Sequence, residues 1–420
     1  MIAFAPVLCR PSVRPEATVF ALPEWRVRRF VTREELEAEW PAVDRADDYW
    51  LRAGTLAFQL EHPQGVKTEP LLLENLRDGR RVQLTAQTFY FSAGGQVSDA
   101  VKGQTSGFDL RRRLLAPFSF RVLCLGQFLV SGNYASAGLD KLTVEEKAAL
   151  LPALADALMA RCRSYAGAII KDLFCEDAPE IAALGKGGFH PLATDAQLCV
   201  ELPAHWCTLE DYLSDLKSKY RVRYRRARAK LGALQRRRIG PGEVGRYREE
   251  IYRLYLETAA GSDFNAVALT PEYFPWLSNC AVAAPTLFGG EEATERSDGP
   301  QTALHGYFTP GGELVGFTST IGNGPTLHAH FLGMKESYKT SHHLYHNMLF
   351  DLLEEAIAGG YRLLDYARTA PEIKTSVGAT AVRPAVLLRV RSGLLNPLVP
   401  FFAPAVFRER QWTARNPFRG

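Results

Sequence analysis

"TLHAHFLGMKESYKTSHHLYHNMLFDLLEEAIAGGYRLLDYA", running from Thr326 to Ala367, changes its apolar period twice, and those changes set the fold class. "TLHAHFLGM" reads as a strand, "SHHLYHNMLFDLLEEAIAGG" as an amphipathic helix stopped by Gly359 and Gly360, and "YRLLDYA" as another strand. "ELVGFTSTIG", just upstream, adds a further strand. The same order occurs earlier. "FSFRVLCLG" leads through "GQFLVSGNYASAG" into the helix "TVEEKAALLPALADALMARCRSY", capped by Thr143 with Glu146 despite Pro152, and then into the strand "GAIIKDLF". The match is architectural rather than letter by letter. It predicts an α/β protein of two halves, residues 1–200 and 201–420, each a mixed sheet flanked by helices.

The length of 420 residues exceeds one typical core and suits two domains. A formal charge of +4 excludes a globally basic nucleic-acid coat, so any attraction for polyanions is local. The 7 cysteines are scattered without a CxxC pair, which points away from a disulfide framework and toward the cytoplasm. "MIAFAPVLCRPSVRPE" has no basic region ahead of its short apolar run, and no later segment offers an uninterrupted span. Between Ala42 and Leu125 the runs "TLAFQLE" and "VQLTAQTFYFSA" read as strands, and the polar stretch between Phe288 and Thr302 as an exposed loop.

"KSKYRVRYRRARAK", from Lys217, could alternate as a strand, but its flanks decide for a helix. Leu213, Leu216, Tyr220, Tyr224, Ala227, Leu231 and Leu234 recur three or four residues apart, and Thr208 with Asp211 gives a capping signal. The other faces carry Lys217, Lys219, Arg221, Arg223, Arg225, Arg226, Arg228 and Lys230 without an acid. Water, an anionic lipid surface, a phosphorylated ligand or RNA such as a tRNA acceptor stem would each relieve that repulsion, and Arg221, Arg225 and Arg228 are the side chains expected to meet it.

His305, His328, His330, His342, His343 and His346 all fall late in the chain, yet no HExxH or carboxylate at ligand spacing accompanies them, so no metal is expected. GxSxG, P-loop and GxGxxG motifs are absent as well, which removes esterase, kinase and nicotinamide readings. What survives is "LGMKESYKTSHH", a strand leading into a helix whose first N–H groups can face a phosphate.

The segment from Trp206 to about Ala379 resembles the second half of bacterial tandem acyltransferases of the FemAB-related branch of the GNAT superfamily. The resembling pieces, in order, are "LKSKYRVRYRRARAKL", "EEIYRLYLETA" with "LTPEYFPWL", and "LVGFTSTIGNGPTLHAHFLGM" through "YRLLDYARTAPEIKTSVGA". The resemblance implies two GNAT-like halves and an acyl donor held between splayed central strands, acyl-CoA in most GNAT proteins and aminoacyl-tRNA in the Fem branch, with transfer to an amine. It places the donor against Gly333, Met334, Lys335, Lys339, Ser341 and His342, although "MKESYKTSHHLY" lacks the glycines of the usual Q/R-x-x-G-x-G/A loop.

Amide formation needs a base for the amine and a proton for the leaving group. His328 or His330 suits the base, Tyr366 the proton donor, and Lys374 an anionic donor or acceptor, while Glu372 either takes part or pairs with Lys374. The tail "LLNPLVPFFAPAVFRERQWTARNPFRG" suits a membrane interface or a groove cover. The expectation is therefore an N-acyltransferase without a tightly bound cofactor, using an acyl-CoA or acyl carrier protein thioester. Its acceptor would be an amine-bearing lipid or envelope precursor, such as the long-chain base of bacterial ceramide synthases. It would sit in the cytoplasm, with peripheral contact at the inner membrane face. A tRNA-dependent Fem-type transferase and a non-catalytic RNA- or lipid-binding module are the alternatives.

Overall fold

The computed structural model describes residues 18–92, 119–259, 267–280, 302–407, 409 and 411–419. The acidic loop expected after Phe288 lies outside these residues up to position 301, as does the N-terminal run. The first part of the chain supplies β1 (Val19–Leu22), β2 (Trp25–Arg29), β3 (Lys67–Asn75), β4 (Arg81–Ser92), β5 (Ser119–Leu125), β6 (Ser136–Ala137), β7 (Tyr165–Cys175) and β8 (His190–Leu192). Its helices are α1 (Arg33–Glu39), α2 (Ala53–Glu61), α3 (Val144–Ala160) and α4 (Pro179–Lys186).

Next come β9 (Gln197–Glu201), α5 (Leu209–Asp215), α6 (Ser218–Leu231), β10 (Gln235–Arg238), α7 (Pro241–Val244), α8 (Arg248–Ala259), α9 (Tyr273–Cys280), β11 (Thr302–Phe308), β12 (Leu314–Asn323) and β13 (Thr326–Met334). The chain ends with α10 (Glu336–Ser341), α11 (Leu344–Ala358), β14 (Leu363–Asp365), α12 (Pro371–Ser376), β15 (Thr380–Val382), β16 (Pro384–Val390) and α13 (Val399–Val406).

One sheet runs β1-β2-β3-β4-β5-β7-β16-β8, with β6 beside β4, and the other runs β10-β11-β12-β13-β14-β9-β15. The expected unit is present in both. β5 and β7 are parallel and joined across α3, while β13 and β14 are parallel and joined across α11. Each half thus has the mixed sheet with helix-linked parallel central strands that the GNAT-like reading requires.

Local sequence explains both crossovers. Thr143 Oγ1 accepts the Glu146 N–H at 3.2 Å while the Glu146 carboxylate accepts the Thr143 N–H at 2.8 Å, so α3 begins on a complete capping box. Leu150, Leu151, Leu154 and Leu158 then bury one stripe against the first sheet. In α11 the stripe Met348, Leu349, Leu352, Leu353 and Ala356 does the same for the second.

The halves exchange strands. β9, around position 200, joins the second sheet between β14 and β15, and β16 returns from beyond position 380 to sit between β7 and β8. Each sheet therefore contains a strand from the other half's stretch of sequence.

Two local expectations change. "TLAFQLE" is helical, within α2, because Thr55 to Gln59 are buried in succession and Phe58 stacks on Trp276 of α9, with ring centroids 3.9 Å apart. The long basic helix is two, α5 and α6, parted at Leu216 and Lys217 where the C-terminal segment crosses: Leu216 bridges Phe418, and the Lys217 N–H donates to Pro417 O at 2.8 Å. α6 stops at Gly232, so Leu234 lies beyond its apolar stripe.

Candidate functional site

β13 is a central strand that loses one neighbour part-way along. It pairs with β14 only at Thr326, Leu327 and His328, and the final rung joins His328 to Asp365. Beyond that rung Ala329, His330, Phe331 and Leu332 are half-buried in the middle of the sheet, which marks the divergence of the two strands. On the other side β13 carries a bulge, with Thr318 opposite Leu332 but Thr320 opposite Ala329. Ser319 fills it, accepting the Phe331 N–H at 3.0 Å and donating to Phe331 O at 2.9 Å.

The last rung continues from His328 through Asp365 to Cys199 of β9, so three side chains from distant parts of the chain share one face. His328 Nδ1 lies 3.0 Å from Asp365 Oδ2, and both residues are buried. An ionised carboxylate only accepts, so Nδ1 carries the hydrogen of this contact, while the amide donor Asn323 Nδ2 lies 3.5 Å from Nε2. Asp365 Oδ1 accepts the Ala367 N–H at 2.7 Å and meets the Cys199 thiol at 3.8 Å. Burial pushes the Asp365 carboxyl up, but His328, the Ala367 N–H and Gln197 outweigh it and hold the group below its usual range.

First-half residues close this face. The Tyr134 ring meets the His328 imidazole edge-on at 4.7 Å. Its loop is tied to the second half at Asp172, which accepts the Gly132 N–H at 3.2 Å, Lys171 Nζ at 2.5 Å and Arg368 at 2.6 Å. Burial drives the Tyr134 hydroxyl well above the ordinary phenol value.

The other expected chemical residues fall around this rung in different ways. His330 sits among Trp50, Tyr273 and Phe331 with Nε2 2.5 Å from the Tyr273 hydroxyl, and burial followed by the nearby His328 pushes it far below the ordinary imidazole value. It is held neutral. Tyr366 turns to the opposite face, where its buried hydroxyl donates to Leu349 O at 2.6 Å. Lys374 is buried below the rung and donates to Tyr366 O at 2.6 Å and Arg368 O at 2.7 Å, which braces a turn where Ala367, Thr369 and Ala370 all have positive φ. Burial lowers its ammonium to about 7, against the pull of Asp365. Glu372 is at the surface, 3.4 Å from Arg415 rather than beside Lys374.

The residues expected along the donor divide. Gly333 and Met334 are buried beneath α8, where a Cβ on Gly333 would come within 2.7 Å of Leu254 O. Lys335 pairs with Glu313 and Lys339 with Glu336, while Ser341 and His342 bond each other at the end of α10. On α6 the three chosen arginines also part company: Arg221 donates to Leu216 O, Arg228 pairs with Asp351 at 2.5 Å, and Arg225 is exposed. Among the described residues no three His, Cys, Asp or Glu side chains gather into a metal-ligand set.

No protein-family model and no curated protein matches the chain. Among solved structures it is similar to a crystal structure of FemX, at 10% identity with a TM-score of 0.47, over 90% of this chain and 100% of that one. It is similar to N-myristoyltransferase of Saccharomyces cerevisiae at 8% identity and a TM-score of 0.44, over 89% of this chain and 81% of that one. A GCN5-related N-acetyltransferase from Kribbella flavida shares 14% identity and a TM-score of 0.35, over 66% of this chain and 84% of that one. At such identities the chemistry has to be read from the chain's own residues.

Asp365, Cys199, Gln197, Asn323 and Tyr134 escaped the sequence reading. One signal was available: a lone aspartate stands in each of the two repeated apolar strands, Asp172 in "GAIIKDLF" and Asp365 in "YRLLDYA". A carboxylate in a buried strand requires a partner. Cys199 and Gln197 carried no such signal, because only the exchange of β9 brings them to Asp365.

Proposed function

We propose that the protein is an N-acyltransferase in which His328 removes the proton of an acceptor amine while a thioester donor lies in the opening between β13 and β14. The observation that carries this reading is the His328–Asp365 pair at the last shared rung of two diverging strands. Asp365 accepts from Nδ1, so the imidazole is oriented with Nε2 as the nitrogen that takes the proton, and the carboxylate stabilises the imidazolium that forms. The amine proton passes to Nε2, the amine nitrogen attacks the thioester carbonyl, the carbon–sulfur bond breaks, and the imidazolium returns its proton to the departing thiolate. His328 is 2% exposed, with the Tyr134 ring packed edge-on against it, so an acceptor must displace packing around the imidazole to reach it.

An acyl-CoA or acyl carrier protein thioester is the proposed donor, and an amine-bearing lipid or envelope precursor the acceptor, with long-chain bases to be tried first. Lys219, Arg223, Arg225, Arg226 and Lys230 of α6 have no acidic partner among the described residues, which favours a tRNA-borne donor as the second reading. Transfer from acyl-CoA, acyl carrier protein and aminoacyl-tRNA to a panel of amines tests both. His328→Gln should lower turnover on the order of a hundredfold or more while His330→Gln does not. Near-normal turnover in folded His328→Gln overturns the assignment.

A further inference from the structure

Leu394, Leu395, Leu398, Phe401 and Phe402 stand exposed within one short stretch, with Leu394 at 88%, Phe401 at 78% and Phe402 at 65%. Single exposed apolar residues are ordinary, whereas a contiguous group marks an interaction surface. The backbone beneath them is anchored. Val390 N–H donates to Asn396 Oδ1 at 2.8 Å, Asn396 Nδ2 donates to Gly188 O at 2.9 Å, and Leu395 N–H donates to Ser392 O at 3.1 Å, while Val399 is buried. Gly188 has a φ of 81°, and a Cβ there would come within 3.0 Å of Asn396 Nδ2, so this anchor depends on the glycine. Hydrogen bonds made from below hold the apolar side chains outward.

The surroundings say what such a surface meets. A recess of about 310 Å³ at its foot is lined by Arg389, Arg391, Gly187, Gly188, Asn396 and Asp156. Arg389 pairs with Asp156, and Arg391 donates to Cys162 O at 3.0 Å. The recess lining thus carries two arginines and one acid, and exposed Lys186 and Arg163 directly adjoin Gly187 and Cys162 in sequence. Pro404 lies inside the short helix α13, and no described helix is long and apolar enough to cross a membrane. The depth that fits is interfacial, ~5–10 Å.

We propose that this surface docks on a bilayer containing anionic phospholipids, with the leucines and phenylalanines entering the interface and the exposed Arg163, Lys186 and Arg391 meeting headgroup phosphates. Protruding apolar side chains rimmed by cations reproduce the layering of such a bilayer, apolar within and anionic at its surface. The inference is independent of the chemistry at His328.

Flotation with phosphatidylcholine vesicles, with and without phosphatidylglycerol, tests it. The intact chain floats with phosphatidylglycerol vesicles, and added salt weakens the binding. Phe401→Ser with Phe402→Ser, both at exposed positions, lowers partitioning by about tenfold or more without changing the melting temperature. Lys186→Glu with Arg163→Glu weakens binding to phosphatidylglycerol vesicles, whereas Arg225→Glu on α6 does not. The proposal is overturned if the intact chain does not float, if the phenylalanine variant floats as well as the parent, or if Arg225→Glu abolishes binding. Self-association that the phenylalanine variant loses, without vesicle binding, assigns the surface to a second copy instead.

Discussion

Arg368 of the second half donates to Asp172 of the first at 2.6 Å, and the carboxylate that receives it is 1% exposed. Lys171 meets the same carboxylate at 2.5 Å and also donates to Gln127 O and Val130 O, so one buried anion serves two cations and joins the halves. Removing the anion leaves both cations without a counter-charge, whereas removing Arg368 leaves Asp172 paired with Lys171. Asp172→Asn should therefore destabilise by about 3–5 kcal/mol and Arg368→Met by less. Urea denaturation of the two variants checks the order.

Asp365 gives a pH signature. Its carboxyl is held below the usual range in the folded chain, so the stability it contributes is complete above the unfolded value, about 4, and is lost as pH falls through the lower folded value. The stability difference between the parent and Asp365→Asn should shrink in acid below about pH 4. At neutral pH the same variant should lose turnover with little change in KM, because Nδ1 of His328 loses its carboxylate acceptor.

Lys374 gives a slope of the same sign in a higher pH window. Its folded value, about 7, lies below the ordinary 10.5, so between those values the unfolded chain binds more protons and stability rises with pH. Lys374→Met should flatten the rise of the melting temperature across that window. It should also lower stability throughout, since the turn around Ala367, Thr369 and Ala370 loses its brace.

Tyr366→Phe separates packing from chemistry. The hydroxyl donates to Leu349 O on the face away from His328, so its loss should lower stability by about 1–3 kcal/mol and leave kcat unchanged. A fall in kcat of about tenfold or more, read in the same transfer assay, would give the hydroxyl a role in proton delivery.

The arginines of α6 should respond unequally. Arg228→Glu sets a carboxylate against Asp351 and should destabilise by about 3–5 kcal/mol, whereas exposed Arg225→Glu should change stability by less than about 0.5 kcal/mol. Thermal melts of the two single variants distinguish these cases.

Local periodicity determined much of this architecture. The switch from strand to helical spacing in Thr326–Ala367, and again around "TVEEKAALLPALADALMARCRSY", located both parallel crossovers, because an amphipathic helix must bury its stripe against the strands it joins. His328 was selected from the same stretch as the candidate base. Tertiary structure decided which partners these residues have. Asp365, Cys199 and Gln197 meet because β9 crosses into the second sheet, and Tyr134 and Asp172 join them because the first half packs over that face. Long-range pairing likewise broke the basic helix at Lys217, where Pro417 accepts its N–H, and turned Arg228 inward to Asp351. Sequence spacing reports which side chains share a face within one element; which face another element covers, and hence which charges are buried in pairs, depends on contacts between residues far apart in the chain.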